Sequence, residues 1–144
     1  MIELKPITPD NYIEVLKLNV REDQKTYVAT NVRSIADCHV YKGYEPLAIV
    51  ADGRAVGFCM WGRDPDDGHY HIVRLMVDAD HQGKGYGRAG AKAVVERISA
   101  EAECNEIRLS FVPGNEDAEA LYTSIGFERT GEIKDGEIVM ALKL

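Results

Sequence analysis

Apolar and polar residues alternate from Ile2 to Lys5, the period of a short strand with one buried face. Thr8-Pro9 follows as a helix start, since threonine can cap free amides and proline is tolerated at the first helical position. Tyr12, Val15 and Leu16 then supply an apolar stripe, and Ser34 with Asp37 three residues on forms a capping-box-like second start. Residues from about 10 to 42 are therefore expected to be mostly helical, with a break near Glu22 or Asn31. Leu47 to Ala51 and Ala55 to Trp61 are strand-like runs separated by Asp52-Gly53-Arg54, and Asp-Gly between apolar runs marks a hairpin. After the polar loop Arg63 to Gly68, His69 to Val77 is a long β-forming run. A glycine-rich turn, Gly83 to Gly87, leads to a helix with Ala91, Val94, Val95 and Ile98 on one face. Glu106 to Val112 reads as a strand, Asn115 as the cap of a helix with Ala118, Leu121, Tyr122 and Ile125 inward, and Asp135-Gly136 as the turn of a final hairpin.

The predicted order is strand, two helices, three strands, helix, strand, helix, two strands. The unit from about 69 to 112 is a crossover, so its two strands should run parallel. The fold class is α/β (α+β), with a mixed, mostly antiparallel sheet flanked by helices. At 144 residues and 45% hydrophobic content the chain fits one domain, 1–144, with one hydrophobic core.

No apolar run approaches the ~20 residues that cross a bilayer, so no membrane partner is expected. Met1 to Lys5 lacks the basic stretch and apolar core of a secretion signal. Cys38, Cys59 and Cys104 are odd in number and lack a CxxC pair, which reads as reduced thiols in a cytoplasmic protein. No residue cluster has metal-ligand spacing. A formal net charge of -7 argues against a nucleic-acid partner and suits a cationic ligand.

Candidate chemistry centres on Gln82-Gly83-Lys84-Gly85-Tyr86-Gly87-Arg88. Glycines let several N–H groups point into one concavity, the following helix adds its positive end, and Lys84 and Arg88 add charge at the rim, so the turn suits phosphates. A P-loop is set aside because Gly-Lys-Ser/Thr is missing. Gly85, Gly87 and Gly90 match G-x-G-x-x-G, but the turn comes late, after antiparallel strands, and the next strand begins rather than ends with an acid, Glu106.

The remaining reading is a family resemblance. Gln82 to Gly87 looks like the Q/R-x-x-G-x-G/A coenzyme A loop of the GNAT N-acetyltransferases, with Leu75-Met76-Val77 where that family has its central strand. Asn115, Ala118, Leu121-Tyr122 and Gly126-Phe127 resemble a second family motif, and the element order matches across essentially the whole chain. The resemblance implies the acyl-CoA N-acyltransferase fold, acetyl-CoA as co-substrate and no metal. It implies direct attack of an amine on the thioester through a tetrahedral intermediate. Cofactor contacts would come from Leu75, Met76, Val77, Gln82, Gly83, Lys84, Gly85, Tyr86, Gly87, Arg88, Asn115 and Tyr122.

By the same resemblance Tyr122 would protonate the leaving sulfur, and a backbone N–H of Met76 or Val77, freed by a bulge, would bond the acetyl oxygen. An amine like that of lysine, with a pKa near ~10.4, needs a base. His71 stands where some relatives carry a glutamate base; it is either that base or a strand histidine facing polar surface. Glu22, in the region bordering the acceptor site, is either a second candidate or a solvated helix charge.

Arg21 to Asn31, Ser34 to Asp37 and Arg74 to Asp78 resemble short bacterial spermine/spermidine acetyltransferases. That implies a small cationic amine, a polyamine, held by carboxylates among Glu22, Asp23, Asp37, Glu45, Asp64, Asp66 and Asp67. Other acceptors (an aminoglycoside, a peptide or a protein N-terminus) and a non-catalytic acetyl-CoA-binding module stay open. A homodimer is compatible with the resemblance and demanded by nothing in the sequence.

Overall fold

The computed structural model describes residues 1–144. Seven strands form one sheet in the order β1-β2-β3-β4-β5-β7-β6: β1 is Ile2–Pro6, β2 Tyr44–Ala51, β3 Arg54–Arg63, β4 Tyr70–Val77, β5 Glu106–Phe111, β6 Glu128–Lys134 and β7 Glu137–Lys143. Every pairing is antiparallel except β4 with β5, the two strands joined by the long helix α3, Tyr86–Glu101. No helix is long and apolar enough to cross a membrane. The mixed, mostly antiparallel sheet expected from the residue pattern is therefore the one observed.

Both faces of the central strands are covered, which is why Leu47 to Ala51 and Ala55 to Trp61 read as continuous apolar runs. Alternate β2 residues feed two cores: Leu47 and Ile49 join Val94 and Ile98 of α3, while Ala48 and Val50 join Val15, Phe58 and Met60 on the opposite face. That second face is capped by α1, Tyr12–Leu16, and α2, Asn31–Val40. The last helix, α4, is Glu116–Ser124 and packs on α3. Asp52-Gly53 and Asp135-Gly136 all have positive φ, the geometry that lets a two-residue turn follow strand twist.

The front segment departs from expectation. Only Tyr12–Leu16 and Asn31–Val40 are α-helical between residues 10 and 42, with a 3₁₀ turn at Glu22–Gln24. Thr8 opens a turn rather than capping α1: its hydroxyl accepts from Asp10, and Tyr12 points outward, 44% exposed. Ser34 is not a cap either. Thr30 caps α2 by accepting from the Arg33 amide, and Ser34 lies buried in the helix interior.

Two irregularities shape β4. Met60 pairs Arg74 while Trp61 pairs Ile72, so Val73 is an extra residue that resets the alternation. Ile72 and Leu75 consequently face the α3 core, and Val73 and Met76 face the other. Where β3 passes the end of β4, a Cβ on Gly57 would fall well inside contact distance of the Met76 carbonyl oxygen. Gly57→Ala should therefore destabilise the fold by about 2 kcal/mol or more, read as a lower urea midpoint. An unchanged midpoint would mean that the end of β4 can move aside freely.

Candidate active site

β4 and β5 bond only at Tyr70↔Ile107 and His71↔Arg108. Beyond His71 the strands part, and the edge of β4 from Ile72 to Val77 faces a cleft of about 930 Å³ instead of a neighbour. On either side of this V the pairing continues: β5 bonds β7 along its length, and β4 bonds β3. Leu75, Met76 and Val77 all line the cleft on the unpaired edge. The bulge lies at Val73, upstream of the Met76-Val77 pair for which it was expected.

One mouth of the cleft is the glycine turn. Gly83 and Gly85 have φ of +79° and +84°, and the space where their side chains would stand is open. Gly85 precedes the first turn of α3, whose amides have no partners of their own. Gly83, Gly85, Tyr86, Gly87 and Arg88 line the cleft, and Arg88 touches only the Ser124 hydroxyl at 3.3 Å. Gly87 permits close helix packing, since a Cβ there would lie 3.1 Å from Leu121 Cδ1. Open concavity, helix N-terminus and an unpaired guanidinium fit a pyrophosphate. Lys84 is not among the lining residues.

The opposite wall is α4. Asn115 caps it by accepting from the Ala118 amide at 3.3 Å. Tyr122 is 9% exposed, lines the cleft, and meets Phe127 edge-on with ring centroids 5.9 Å apart. Burial pushes its phenol up to about 12.

Residues 12–127 match the model of the acetyltransferase (GNAT) family. The chain belongs to this family. It is 33% identical over 153 aligned residues to the spermine/spermidine N(1)-acetyltransferase of Bacillus subtilis strain 168, with 99% of both chains covered. An aminoglycoside N(6')-acetyltransferase type 1 of Klebsiella pneumoniae is 33% identical over 99 residues, 61% of this chain and 49% of that one. Among solved structures, the aminoglycoside acetyltransferase AAC(6')-Ib in complex with coenzyme A superposes with a TM-score of 0.81 at 19% identity, over 99% of this chain and 95% of that one. The chain is accordingly an acetyl-CoA-dependent N-acetyltransferase.

The other candidate residues lie apart from the cleft lining. His71 sits at the apex of the V, its side chain 12% exposed and its Nε2 2.8 Å from Asp67 Oδ2. Burial pushes the Asp67 carboxyl up, but bonds from the His69 amide and from His71 outweigh it and hold the group below its usual range. Glu22 is 87% exposed and paired with Lys25 at 2.7 Å. The expected acidic groove does not form in the cleft, because the named carboxylates are engaged elsewhere. Asp23 bonds Arg21, Asp37 bonds Arg74 and Arg33, Glu45 bonds Trp61 and Arg97, and Asp64 and Asp67 flank Lys134. Asp66 is exposed on the same loop, away from the lining.

The carboxylates that do line the cleft are Asp117 and Glu137, and neither makes an ion pair. Glu137 accepts from Ser110 Oγ at 3.0 Å. Reading residues in order missed both, because their position depends on β7 and α4 closing over the V.

Proposed function

We propose that the acceptor is a polyamine such as spermidine or spermine. The observation that carries this reading is the end-to-end likeness to the Bacillus subtilis spermine/spermidine enzyme. Two carboxylates in the cleft support it. Lys25 pairs with Glu22, and Arg33 and Arg74 share the one carboxylate of Asp37, whereas Asp117 and Glu137 on the walls make no ion pair. Unpaired carboxylates suit ammonium groups, and Arg88 at the glycine turn suits phosphate. An aminoglycoside is the second reading, favoured by the partial match to the Klebsiella enzyme, and it would use the same carboxylates.

The thioester of acetyl-CoA supplies the activated acetyl group. The chain's own groups would do the rest. The glycine turn and the α3 amides would hold the pyrophosphate, with Arg88 beside it. A backbone N–H of Met76 or Val77 would orient the acyl oxygen and stabilise its developing charge. Tyr122 would hold a proton at its phenol oxygen for the sulfur. His71 is the better placed base of the two: Asp67 fixes its ring at the apex, and a water would link it to the amine.

The test is CoA thiol release from acetyl-CoA with spermidine, spermine, kanamycin, a lysine peptide and no amine. Turnover confined to the polyamines is expected. Turnover with kanamycin alone would replace this acceptor with the second reading. Glu137→Gln should raise the KM for spermidine about fivefold, the worth of roughly 1 kcal/mol for one partly exposed charge pair. An unchanged KM would remove Glu137 from the amine site.

A further inference from the structure

We propose that Gln24 is a positioning residue that ties the wall of the cleft formed by residues 24–30 to the cofactor loop, so that filling the cofactor loop orders that wall. Gln82 opens the coenzyme A motif, yet its side chain is used up within the protein. Its Nε2 donates to Gln24 Oε1 at 2.9 Å and to the Val77 carbonyl at 3.0 Å. Its Oε1 accepts from Arg21 Nη1 at 2.9 Å and from Gln24 Nε2 at 3.3 Å. An amide offers two N–H bonds and two lone pairs, so none is left for a ligand. Its orientation is forced as well, because Val77 O can only accept and Arg21 Nη1 can only donate. The motif glutamine acts on the cofactor through what it holds.

It holds two things. Val77 ends the unpaired edge of β4, and Gln24 begins the stretch 24–30 that also lines the cleft. From Val20 to Ala29, the bonds to Gln82 are the hydrogen bonds that leave the segment, and Thr30 beyond it caps α2; the ion pairs Arg21–Asp23 and Lys25–Glu22 are local and exposed. Gln24 also folds the segment's first turn, accepting from the Arg21 amide at 3.0 Å. A glycine turn fixed by a bound pyrophosphate fixes Gln82, and Gln82 then fixes the 24–30 wall through Gln24. By reciprocity any ligand seated on that wall tightens CoA binding.

The experiment is amide hydrogen exchange on the full chain with and without saturating CoA. It needs no amine, so it stands on the cofactor assignment and is indifferent to which acceptor is correct. In the wild-type protein CoA should slow exchange both at Gly83–Arg88 and across 21–30, the latter about five- to tenfold, the worth of two neutral hydrogen bonds. In Gln24→Leu, protection across 21–30 should fall within about twofold of the free protein while Gly83–Arg88 stays protected, which also certifies the fold. Gln24→Glu should retain part of the effect, because a carboxylate still accepts from Gln82 Nε2 and from the Arg21 amide but loses the donor to Gln82 Oε1. Gln82→Leu leaves the Arg21–Gln24 bond intact and should uncouple the loops as Gln24→Leu does. Protection of 21–30 surviving in both leucine variants would show that CoA orders the segment by direct contact and overturn the proposal. Its absence in the wild-type protein would do the same.

Discussion

Tyr122→Phe should lower kcat by about a hundred- to ten-thousand-fold, the range for losing a general acid, while CoA affinity and thermal stability hold. The ring would keep its edge-on contact with Phe127 and its place on α4, so only the proton is removed. At about 12 the phenol is a weaker acid than a thiol, whose ordinary pKa is near ~8.5. The chain's own thiols show how burial acts on sulfur. Burial pushes Cys59 up to about 12 and Cys38 up to about 11, the carboxylates of Glu45 and Asp37 adding smaller upward effects. A sulfur anion formed beside this buried phenol would be raised in the same direction, which narrows the gap between the two groups. The shift also sets the pH dependence. The neutral phenol is the form favoured in the fold, so this group leaves stability undiminished below pH 10.0 and lowers it as pH climbs toward about 12. The acid role should likewise show no loss of its own below pH 10.0. CoA release under saturating substrates, with calorimetry for CoA, checks the substitution, and a fall of less than about tenfold would leave Tyr122 as a packing residue.

Legibility from sequence tracks how local each signal is. The two Asp-Gly hairpins, the glycine turn and the Asn115 cap are each complete within a few residues, and all stand where the pattern put them. Ser34 and Asp37 had the spacing of a cap, but Asp37 answers to Arg74, 37 residues away, and Ser34 to the burial of its helix face. Thr30, the actual cap, has Arg33 rather than an acid three residues on and so gave no second signal. The acidic groove failed for the same reason. Charge is visible along a chain but its partner is not: Glu45 meets Arg97 and Asp64 meets Lys134, 52 and 70 residues away. The cleft was legible as a motif, whereas its walls were not. The link between Gln24 and Gln82 spans 58 residues and joins two side chains with no pattern between them. Glu137 and Ser110 meet only because β7 pairs with β5.

Gly85→Glu should weaken CoA binding by about a hundredfold or more, and comparison with Gly85→Ala separates the two causes. Any Cβ at φ +84° is strained whatever the space around it, and none of the surroundings lies within 4 Å. That strain is roughly 1–2 kcal/mol. Where the alanine variant relieves it by turning the amides out of the concavity, the loss of CoA affinity should be about tenfold. Glutamate adds a carboxylate at the N-terminus of α3, the place where the helix stabilises an anion. It would satisfy those amides itself and repel an incoming pyrophosphate, supplying the further factor of about ten or more. Salt tells strain from charge. The gap between the alanine and glutamate variants should narrow as ionic strength rises, because exposed charges are screened within about 10 Å at 0.1 M. The alanine variant's own loss should keep its gap from the wild-type protein. Calorimetric titration of CoA at two ionic strengths reads both. Wild-type affinity in Gly85→Glu would mean that the pyrophosphate lies elsewhere, and the glycine turn would lose its role as the cofactor loop.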